Sequence, residues 1–441
     1  MNKTNTTPIT PEESEASFRK YWNPETRTLD LSNAGLASWP FGQTPEMTDI
    51  LNQAVVIDAS GNKFENFPCE ILKFQNLRVL IYRKNNLTSL PDSITKLIKL
   101  ECLDVSYNSL GGLPEAIGEL GQLVALNISH NKITSLPVSF RKLKQMRELV
   151  MMSNGLTEVP EAIGELEQLL DLYLANNKLT ALPASIGGLK NLELLGLDGN
   201  NLLELPDSIG KLSHLRELHL EGNKLTALPA SIGCLENLTE LHADENEFTG
   251  LPETLGKLNK LEFLHLSHTS LTSLPSSLFA TLTNLLYLDI SGGRGRYAIP
   301  EGLKHCKKLV YLDISKSQLE TLPEWIGDFP HLFKLDITFN FLKRVPEFLG
   351  NLKNLMFLDT SGNVLEALPE FIQKMPALKS ITIGVHDGEP FFPAKVIRKF
   401  SKDCQKVGKT VVHSYFSFYP YDLKLTYNAC LREALSNARQ A

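Results

Sequence analysis

The sequence predicts an α/β solenoid, in which one repeated unit stacks along a line with a sheet on one side and short helical segments on the other. Three regularities predict it: a proline every 23 residues, an alternating apolar segment before each proline, and an asparagine between the two. Such periods indicate solenoids, because each unit buries its apolar face only against its neighbours. The prolines are Pro68, Pro91, Pro114, Pro137, Pro160, Pro183, Pro206, Pro229, Pro252 and Pro275, followed by Pro323, Pro346 and Pro369.

The first half of each unit is predicted to be a strand. The unit that begins at Leu123 reads LVALNISHNKITSLPVSFRKLKQ, and the shared pattern is LxxLxLxxNxLxxLPxxIGxLxx. Apolar and variable residues alternate in its first part, as they do in a half-buried strand. Leu126 and Ile128 are therefore expected to face the core, and Asn127 and Ser129 to face outward.

The second half, LPxxIGxLxxL, has wider apolar spacing and predicts a short helical or 3₁₀ segment on the opposite side. Proline suits the entry to such a segment, because its fixed φ and missing N–H do least harm there. With strands on one side and helical turns on the other, we expect the stack to curve and its parallel sheet to be concave.

Asparagine is predicted to satisfy the backbone at the corner between these halves. A buried bend leaves N–H and C=O groups that no strand pairing reaches, and a carboxamide offers both a donor and an acceptor. We expect a ladder of asparagines that bond across adjacent coils. Its members are Asn62, Asn85, Asn108, Asn131, Asn154, Asn177, Asn200, Asn223, Asn246, Asn340 and Asn363.

On these residues the chain resembles the leucine-rich repeat proteins. The 23-residue form with LPxxIG is similar to the intracellular type found in Ras-binding scaffolds, plant Ras-group proteins and bacterial proteins and effectors. The resemblance covers residues 27–386, as about 16 repeats. It implies a right-handed, horseshoe-shaped solenoid that binds another protein on its concave face, a fold that many unrelated functions share.

Both ends are predicted to be helical caps. Residues 1–26 form the N-terminal one, where Thr10 to Glu13 has the spacing of a capping box. Residues 387–441 form a C-terminal cap or small appended domain, with one apolar stripe from Val396 to Val407 and a second from Tyr427 to Ala438. An exposed last coil of a solenoid has to be covered.

Composition excludes several classes of protein. The net charge is −6, which disfavours nucleic acid as a partner, and no apolar stretch approaches the length of a membrane span. Six scattered cysteines favour a reducing compartment, and the polar start of the chain lacks a classical secretory signal. We expect a cytoplasmic monomer, with export to a host cell by another route as the alternative.

No catalytic motif is recognisable. P-loop, GxGxxG, HExxH and GxSxG patterns are missing from suitable contexts. The chain resembles bacterial repeat effectors that carry a ubiquitin-ligase domain with a CxD motif, but its single match, Cys102-Leu103-Asp104, lies in a predicted strand. We expect a binding scaffold without enzymatic activity or cofactor. The alternatives are a bacterial effector that acts on host proteins and a ubiquitin ligase with an unrecognised C-terminal module.

The variable strand positions predict a contact surface over residues 217–363. The position between the two strand leucines holds His219, His242 and His265 and then Asp289, Asp313, Asp336 and Asp359. Two residues earlier lie Phe263, Tyr287, Tyr311 and Phe357, with Lys334 between the last two. Aromatic anchors beside carboxylates suit a basic, partly apolar protein partner, such as a small-GTPase-like or host protein.

Two features of this surface stay open at this point. The histidines could bind a metal, form a pH-sensitive contact or belong to an ordinary polar surface; we favour the last and assign no metal. From residue 269 to 317 the asparagine column lapses, and the corner SGGRGRYAIP carries Arg294 and Arg296. These arginines are either a contact for an acidic partner or phosphate, or part of a tolerated insertion.

Overall fold

The computed structural model describes residues 20–41, 45–293, 298–383 and 394–412. The chain divides into two compact units, Met1–Leu202 and Leu203–Ala441. Within each unit the same succession recurs in nearly every repeat: a three-residue strand, a corner and a short helix. The repeat read from the prolines is therefore a structural repeat.

In the first unit the strands pair in parallel with their successors, apart from one antiparallel strand at the start. The strands are β1 (Trp22–Asn23), β2 (Thr28–Asp30), β3 (Val56–Asp58), β4 (Val79–Ile81), β5 (Cys102–Asp104), β6 (Ala125–Asn127), β7 (Glu148–Val150), β8 (Asp171–Tyr173) and β9 (Leu194–Gly196). The helix α1 (Pro45–Gln53) is followed by 3₁₀ helices at Cys69–Lys73, Asp92–Lys96, Glu115–Glu119, Val138–Lys142, Glu161–Glu165 and Ala184–Gly188.

In the second unit every described strand pairs in parallel with the next. The strands are β10 (Glu217–His219), β11 (Glu240–His242), β12 (Phe263–His265), β13 (Tyr287–Asp289), β14 (Tyr311–Asp313), β15 (Lys334–Asp336), β16 (Phe357–Asp359), β17 (Ser380–Thr382) and β18 (Thr410–Val412). The helices are α2 (Ser276–Thr281) and α3 (Ala394–Lys406), with 3₁₀ helices at Asp207–Lys211, Ala230–Cys234, Glu253–Lys257, Glu301–His305, Glu324–Asp328, Glu347–Asn351 and Glu370–Lys374.

The strand register confirms the predicted columns of side chains. In β11 and β12, Leu241 lies opposite Leu264 and His242 opposite His265, so equivalent repeat positions are neighbours. Both leucines are fully buried. The middle residue of each strand therefore points into the core, and the first and third residues point to the opposite surface of the sheet. We call that surface the sheet face.

Each proline stands directly before its helical segment, as predicted. Pro160 has φ −67° and ψ 150°, and its carbonyl accepts the first hydrogen bond of the turn, from the N–H of Ile163, at 3.0 Å. Proline thus supplies an extended residue with a preset φ and loses no donor that the helix needs.

The asparagine ladder forms as the sequence predicts. Asn177 is 6% exposed, and its Oδ1 accepts from the N–H of Leu156 at 3.1 Å. Its Nδ2 donates to the carbonyl oxygens of Met151 (3.0 Å), Leu174 (2.9 Å) and Ala175 (3.3 Å). One side chain thereby satisfies backbone groups of its own coil and of the preceding one.

The ladder weakens where other residues replace asparagine. Thr269 Oγ1 donates to the carbonyl of Leu266 at 3.0 Å, and Ser317 Oγ donates to that of Ser315 at 3.0 Å. A hydroxyl has one hydrogen to donate, so it cannot reach the preceding coil as well. Arg294 and Arg296 lie outside the described residues.

The structure shows why glycine is required in LPxxIG, which the sequence alone did not explain. A Cβ atom added to Gly164 would overlap the carbonyl oxygen of Ser185 in the next coil, and one on Gly118 would overlap that of Ser139. Neither glycine has a positive φ that would exclude other residues. Close stacking of successive 3₁₀ turns therefore requires the missing side chain.

Replacing Gly164 with alanine should lower the free energy of unfolding by about 1–3 kcal/mol, because the two coils must separate to admit the methyl group. Urea denaturation measures the effect. Gly121→Ala is the matched control, since no atom lies within 4 Å of an added Cβ there. Equal stability of the two variants would contradict the packing role of Gly164.

The described ends of the chain extend the sheet. At the start, Trp22 pairs with Leu29; near the other end, β18 follows α3 and pairs with β17. Gly408, with φ +75°, lies between α3 and β18. The predicted capping box at residues 10–13 and the second stripe at 427–438 fall outside the described residues. Within the described ranges, no helix is long and apolar enough to cross a membrane.

Candidate functional site

A continuous stack of five rings runs along the sheet face of the second unit. Successive ring centroids are 4.5, 4.2, 4.3 and 4.2 Å apart, and the planes differ by 8–21°. We call this stack the ring ladder; its members are His219, His242, His265, Tyr287 and Tyr311. Parallel strands lie about 4.8 Å apart, so rings at neighbouring positions come close to stacking distance without distortion.

The ring ladder changes column between β12 and β13. His265 lies opposite Asp289 in the register, yet its ring stacks on Tyr287, two residues earlier on that strand. The histidine column and the tyrosine column of the sequence are thus one feature. At its far end, the Nζ of Lys334 lies 5.3 Å from the centre of the Tyr311 ring, within the range of a cation–π interaction.

One part of the predicted contact surface is accessible to solvent and the other part is buried. The side chains of His219 and His242 are 31% and 24% exposed, and Phe263, His265 and Tyr287 are half-buried. In contrast, the structure buries Tyr311 (8% exposed), Lys334 (7%) and Phe357 (0%), together with Asp336 and Asp359. Among the nominated residues, solvent therefore reaches mainly the part from His219 to Asp289.

The pKa values of two adjacent histidines are shifted in opposite directions. Burial by itself would lower the pKa of His242, but the hydrogen bond and charge of Glu240 outweigh it, so the pKa is raised. Burial lowers the pKa of His265 to about 4, and the neighbouring His242 adds to the effect. Near neutral pH His265 is thus a neutral imidazole stacked on one that protonates more readily.

A row of carboxyl groups, half-buried at first and then fully buried, follows the histidines at the third strand position. The first three accept a backbone hydrogen bond two residues further on, from the N–H of Ser291, Ser315 or Thr338, at 2.9–3.0 Å, and the fourth accepts from Oγ1 of Thr382 at 3.0 Å. Burial raises the pKa of Asp289 to about 6 and that of Asp313 to about 7, with the charge of Asp289 adding to the second shift. The residues of this acidic row are Asp289, Asp313, Asp336 and Asp359.

Lys334 balances the far end of the acidic row. Its Nζ lies 3.2 Å from Oδ2 of Asp359 and 3.8 Å from Oδ2 of Asp336. Burial raises the pKa of Asp336 well above its ordinary value, the charges of Asp313 and Asp359 raise it further, and Lys334 opposes them. The row thus carries more potential negative charge than this ammonium group offsets.

Three polar side chains converge beside the ring ladder. His242, Asp244 and His265 each offer a donor atom, and these atoms lie within 4.8 Å of one another. Oδ1 of Asp244 accepts from both the N–H and the Oγ of Ser267, at 2.9 and 2.8 Å. Spacing along the chain gives no sign of this fixed carboxylate.

The cysteine of the CxD match lacks the environment of a nucleophile. Burial raises the pKa of Cys102, and the carboxylates of Asp104 and Glu148 raise it further. A reactive thiolate needs the opposite shift, which positive neighbours or a helix N-terminus provide. This motif therefore belongs to the repeat strand.

Comparison with known proteins agrees with this geometry. A family model described as Leucine rich repeat matches residues 75–133, 144–202 and 195–248, and a second of the same description matches residues 260–282. The fold is a leucine-rich-repeat solenoid. A comparison of the sequence with curated proteins found no match.

Solved structures share the fold over most of the chain. A leucine-rich-repeat protein of Leptospira interrogans is 29% identical with a TM-score of 0.80, over 90% of this chain and 98% of that one. The plant peptide hormone receptor RGFR1, solved in complex with RGF2, is 27% identical with a TM-score of 0.58, over 78% and 66%. The ectodomain of the Arabidopsis thaliana receptor kinase GASSHO1/SCHENGEN3, in complex with CASPARIAN STRIP INTEGRITY FACTOR 2, is 25% identical with a TM-score of 0.60, over 85% and 49%.

Proposed function

We propose that this leucine-rich-repeat protein binds a protein or peptide segment through the exposed part of the ring ladder and the carboxylates beside it. The observation that carries the proposal is the half-exposed run of stacked rings from His219 to Tyr287 on the sheet face. A similar solenoid supports binding of this kind, since the peptide hormone receptor RGFR1 was solved in complex with RGF2.

Rigid aromatic side chains on a sheet suit recognition. The strands already fix their positions, so binding orders few additional groups, and rings supply large contact areas for little lost freedom. The stacking of Tyr287 between His265 and Tyr311 holds its ring further in place. Aromatic anchors of this kind often dominate the binding free energy of an interface.

Charge favours a basic partner. Glu217 and Glu240 lie beside the first two histidines, with carboxylate oxygens 3.6 Å from the Nε2 atoms of His219 and His242. Asp289 follows at the other end of the exposed part. Carboxylates on both sides of an apolar strip complement a segment in which lysine or arginine alternates with apolar residues.

Peptides selected from a random display library against the intact chain should be rich in basic and aromatic residues. Tyr287→Ala should weaken their binding roughly ten-fold or more, since truncating a central aromatic anchor removes about 1.4 kcal/mol or more. Fluorescence anisotropy with labelled peptides measures the dissociation constants.

Tyr107→Ala is the matched control. Tyr107 is an exposed tyrosine stacked on His130 at 4.0 Å, but it lies at a corner of the first unit and not on a strand of the sheet. Binding should survive this change. Selected peptides that bind the Tyr287→Ala protein as tightly as the original would refute the proposed site.

A further inference from the structure

We propose that His242, Asp244 and His265 form a binding site for a divalent transition-metal ion of the zinc class. The inference does not depend on the proposed function, because it concerns a small ion. It departs from the expectation drawn from sequence, which assigned the histidines to an ordinary polar surface.

The backbone places the three donors on one side of the sheet. His242 ends β11 and Asp244 follows two residues later, where the N–H of Ala243 still bonds to the carbonyl of His265 at 2.9 Å. The alternation therefore continues and directs both side chains to the sheet face. His265 lies opposite His242 on the neighbouring strand. One donor at the end of β11, one two residues beyond it and one across from it form a triangle, whose donor atoms lie within 4.8 Å of one another.

The donor types select the class of ion. Two imidazoles and one carboxylate are a common three-residue set for zinc, with a fourth position left for water or another ligand. Calcium and magnesium prefer sites built almost entirely from oxygen, so the two nitrogens disfavour them. Nearby Glu217 and Glu240 add negative charge that attracts a cation.

Neighbouring groups already orient two of the donors. Ser267 gives both its N–H and its hydroxyl to Oδ1 of Asp244, which fixes the carboxylate and leaves Oδ2 for an ion. The carboxylate of Glu240 lies 3.6 Å from Nε2 of His242. Hydrogen-bonded carboxylates and paired imidazoles of this kind are the usual surroundings of metal ligands.

Binding requires a local rearrangement. Bonds of 2.0–2.1 Å in a tetrahedral site place donor atoms roughly 3.4 Å apart, and the three donor atoms here lie within 4.8 Å of one another. The rings of His242 and His265 are stacked with centroids 4.2 Å apart and planes at 14°, so their nitrogen lone pairs lie in two nearly parallel planes. An ion must therefore turn at least one ring. Because Glu240 already lies against His242, we expect His265 to turn, which would disturb its stack on Tyr287 and change the near-ultraviolet circular dichroism of that tyrosine.

Titration of the intact, metal-free chain with zinc chloride tests the proposal. Calorimetry should show a site with one ion per chain, and cobalt should give the visible absorption of a tetrahedral complex. His265→Ala should abolish the site and Asp244→Asn should weaken it roughly ten-fold or more. The matched control His130→Ala, in the first unit, should leave the affinity unchanged.

A second readout distinguishes this site from other zinc-binding groups. Zinc should alter the near-ultraviolet signal of the original protein but have a much smaller effect on Tyr287→Ala, which retains all three proposed ligands. Failure of the original chain to bind zinc, or undiminished binding by folded His265→Ala and Asp244→Asn proteins, would overturn the proposal. Far-ultraviolet circular dichroism confirms that each variant is folded.

Discussion

Asn177→Ala is expected to lower the free energy of unfolding by about 3–5 kcal/mol. The substitution removes four hydrogen bonds and leaves a buried N–H at Leu156 and buried carbonyls at Met151, Leu174 and Ala175 with fewer partners. Water cannot easily replace the carboxamide, because the side chain is 6% exposed. Each buried polar group left without a partner costs about 1–3 kcal/mol.

Urea denaturation and amide hydrogen exchange at Leu156 measure this loss. In a solenoid each coil is stabilised chiefly by its neighbours, so exchange should accelerate most in the coils next to residue 177. Asn191→Ala is the matched control: Asn191 is half-buried and donates one solvent-exposed hydrogen bond, to the carbonyl of Glu167 at 2.8 Å. It should change stability by less than about 1 kcal/mol. A similar loss in both variants would mean that the ladder contributes no more than a surface contact.

Asp313→Asn is expected to stabilise the protein by about 2–4 kcal/mol near pH 8 and to have little effect near pH 4. Burial raises the pKa of Asp313 to about 7, and repulsion from Asp289 adds to the shift, although Lys334 and the hydrogen bond from Ser315 oppose it. Asparagine keeps an oxygen that can accept from the N–H of Ser315 but carries no charge.

The direction of the pH dependence follows from proton binding. A carboxyl group whose pKa is higher in the folded state binds more protons there than in the unfolded chain, over the range between the two pKa values. Asp313 thus makes the folded state less stable as the pH rises from about 4 to about 7. Asp289 acts in the same direction up to about pH 6, and Asp336 also has a raised pKa.

Thermal or urea unfolding across this pH range checks the prediction. Asp104→Asn is the matched control, because Asp104 occupies the same strand position in the first unit and accepts the equivalent bond from Ser106 at 2.9 Å. Its strand neighbours are Ile81 and Asn127, not carboxylates, so its replacement should change stability by less than about 1 kcal/mol near pH 8. If Asp313→Asn left the slope of stability against pH unchanged, the repulsion assigned to the acidic row would be wrong.

The repeat pattern predicted most of the fold because its signals are local and recur many times. Proline at a fixed place, alternation over three strand residues and an asparagine at each corner all led to the observed elements. The role of Gly164 was less visible, since the clash that excludes a side chain involves the next coil. The helix α1 and the strand β18 lie outside the regular repeat, so the repeat pattern did not predict them.

The candidate site was predictable as a set of columns but not as an arrangement. Register alone placed His219, His242 and His265 side by side. It could not show that the ring of His265 stacks on Tyr287, which lies diagonally from it, because stacking depends on side-chain rotamers. Nor could it show that Tyr311 and Lys334 are buried, since burial depends on everything that packs above a position.

By itself, the sequence determined that this chain is a solenoid and which residues share each column, because a strand alternates every two residues and the repeat returns every 23. Only the tertiary structure decided which of those residues a partner can reach, which carboxyl groups retain protons near neutral pH and which three side chains converge on a common point. Those properties depend on distances, burial and charge in three dimensions, which no spacing along the chain specifies.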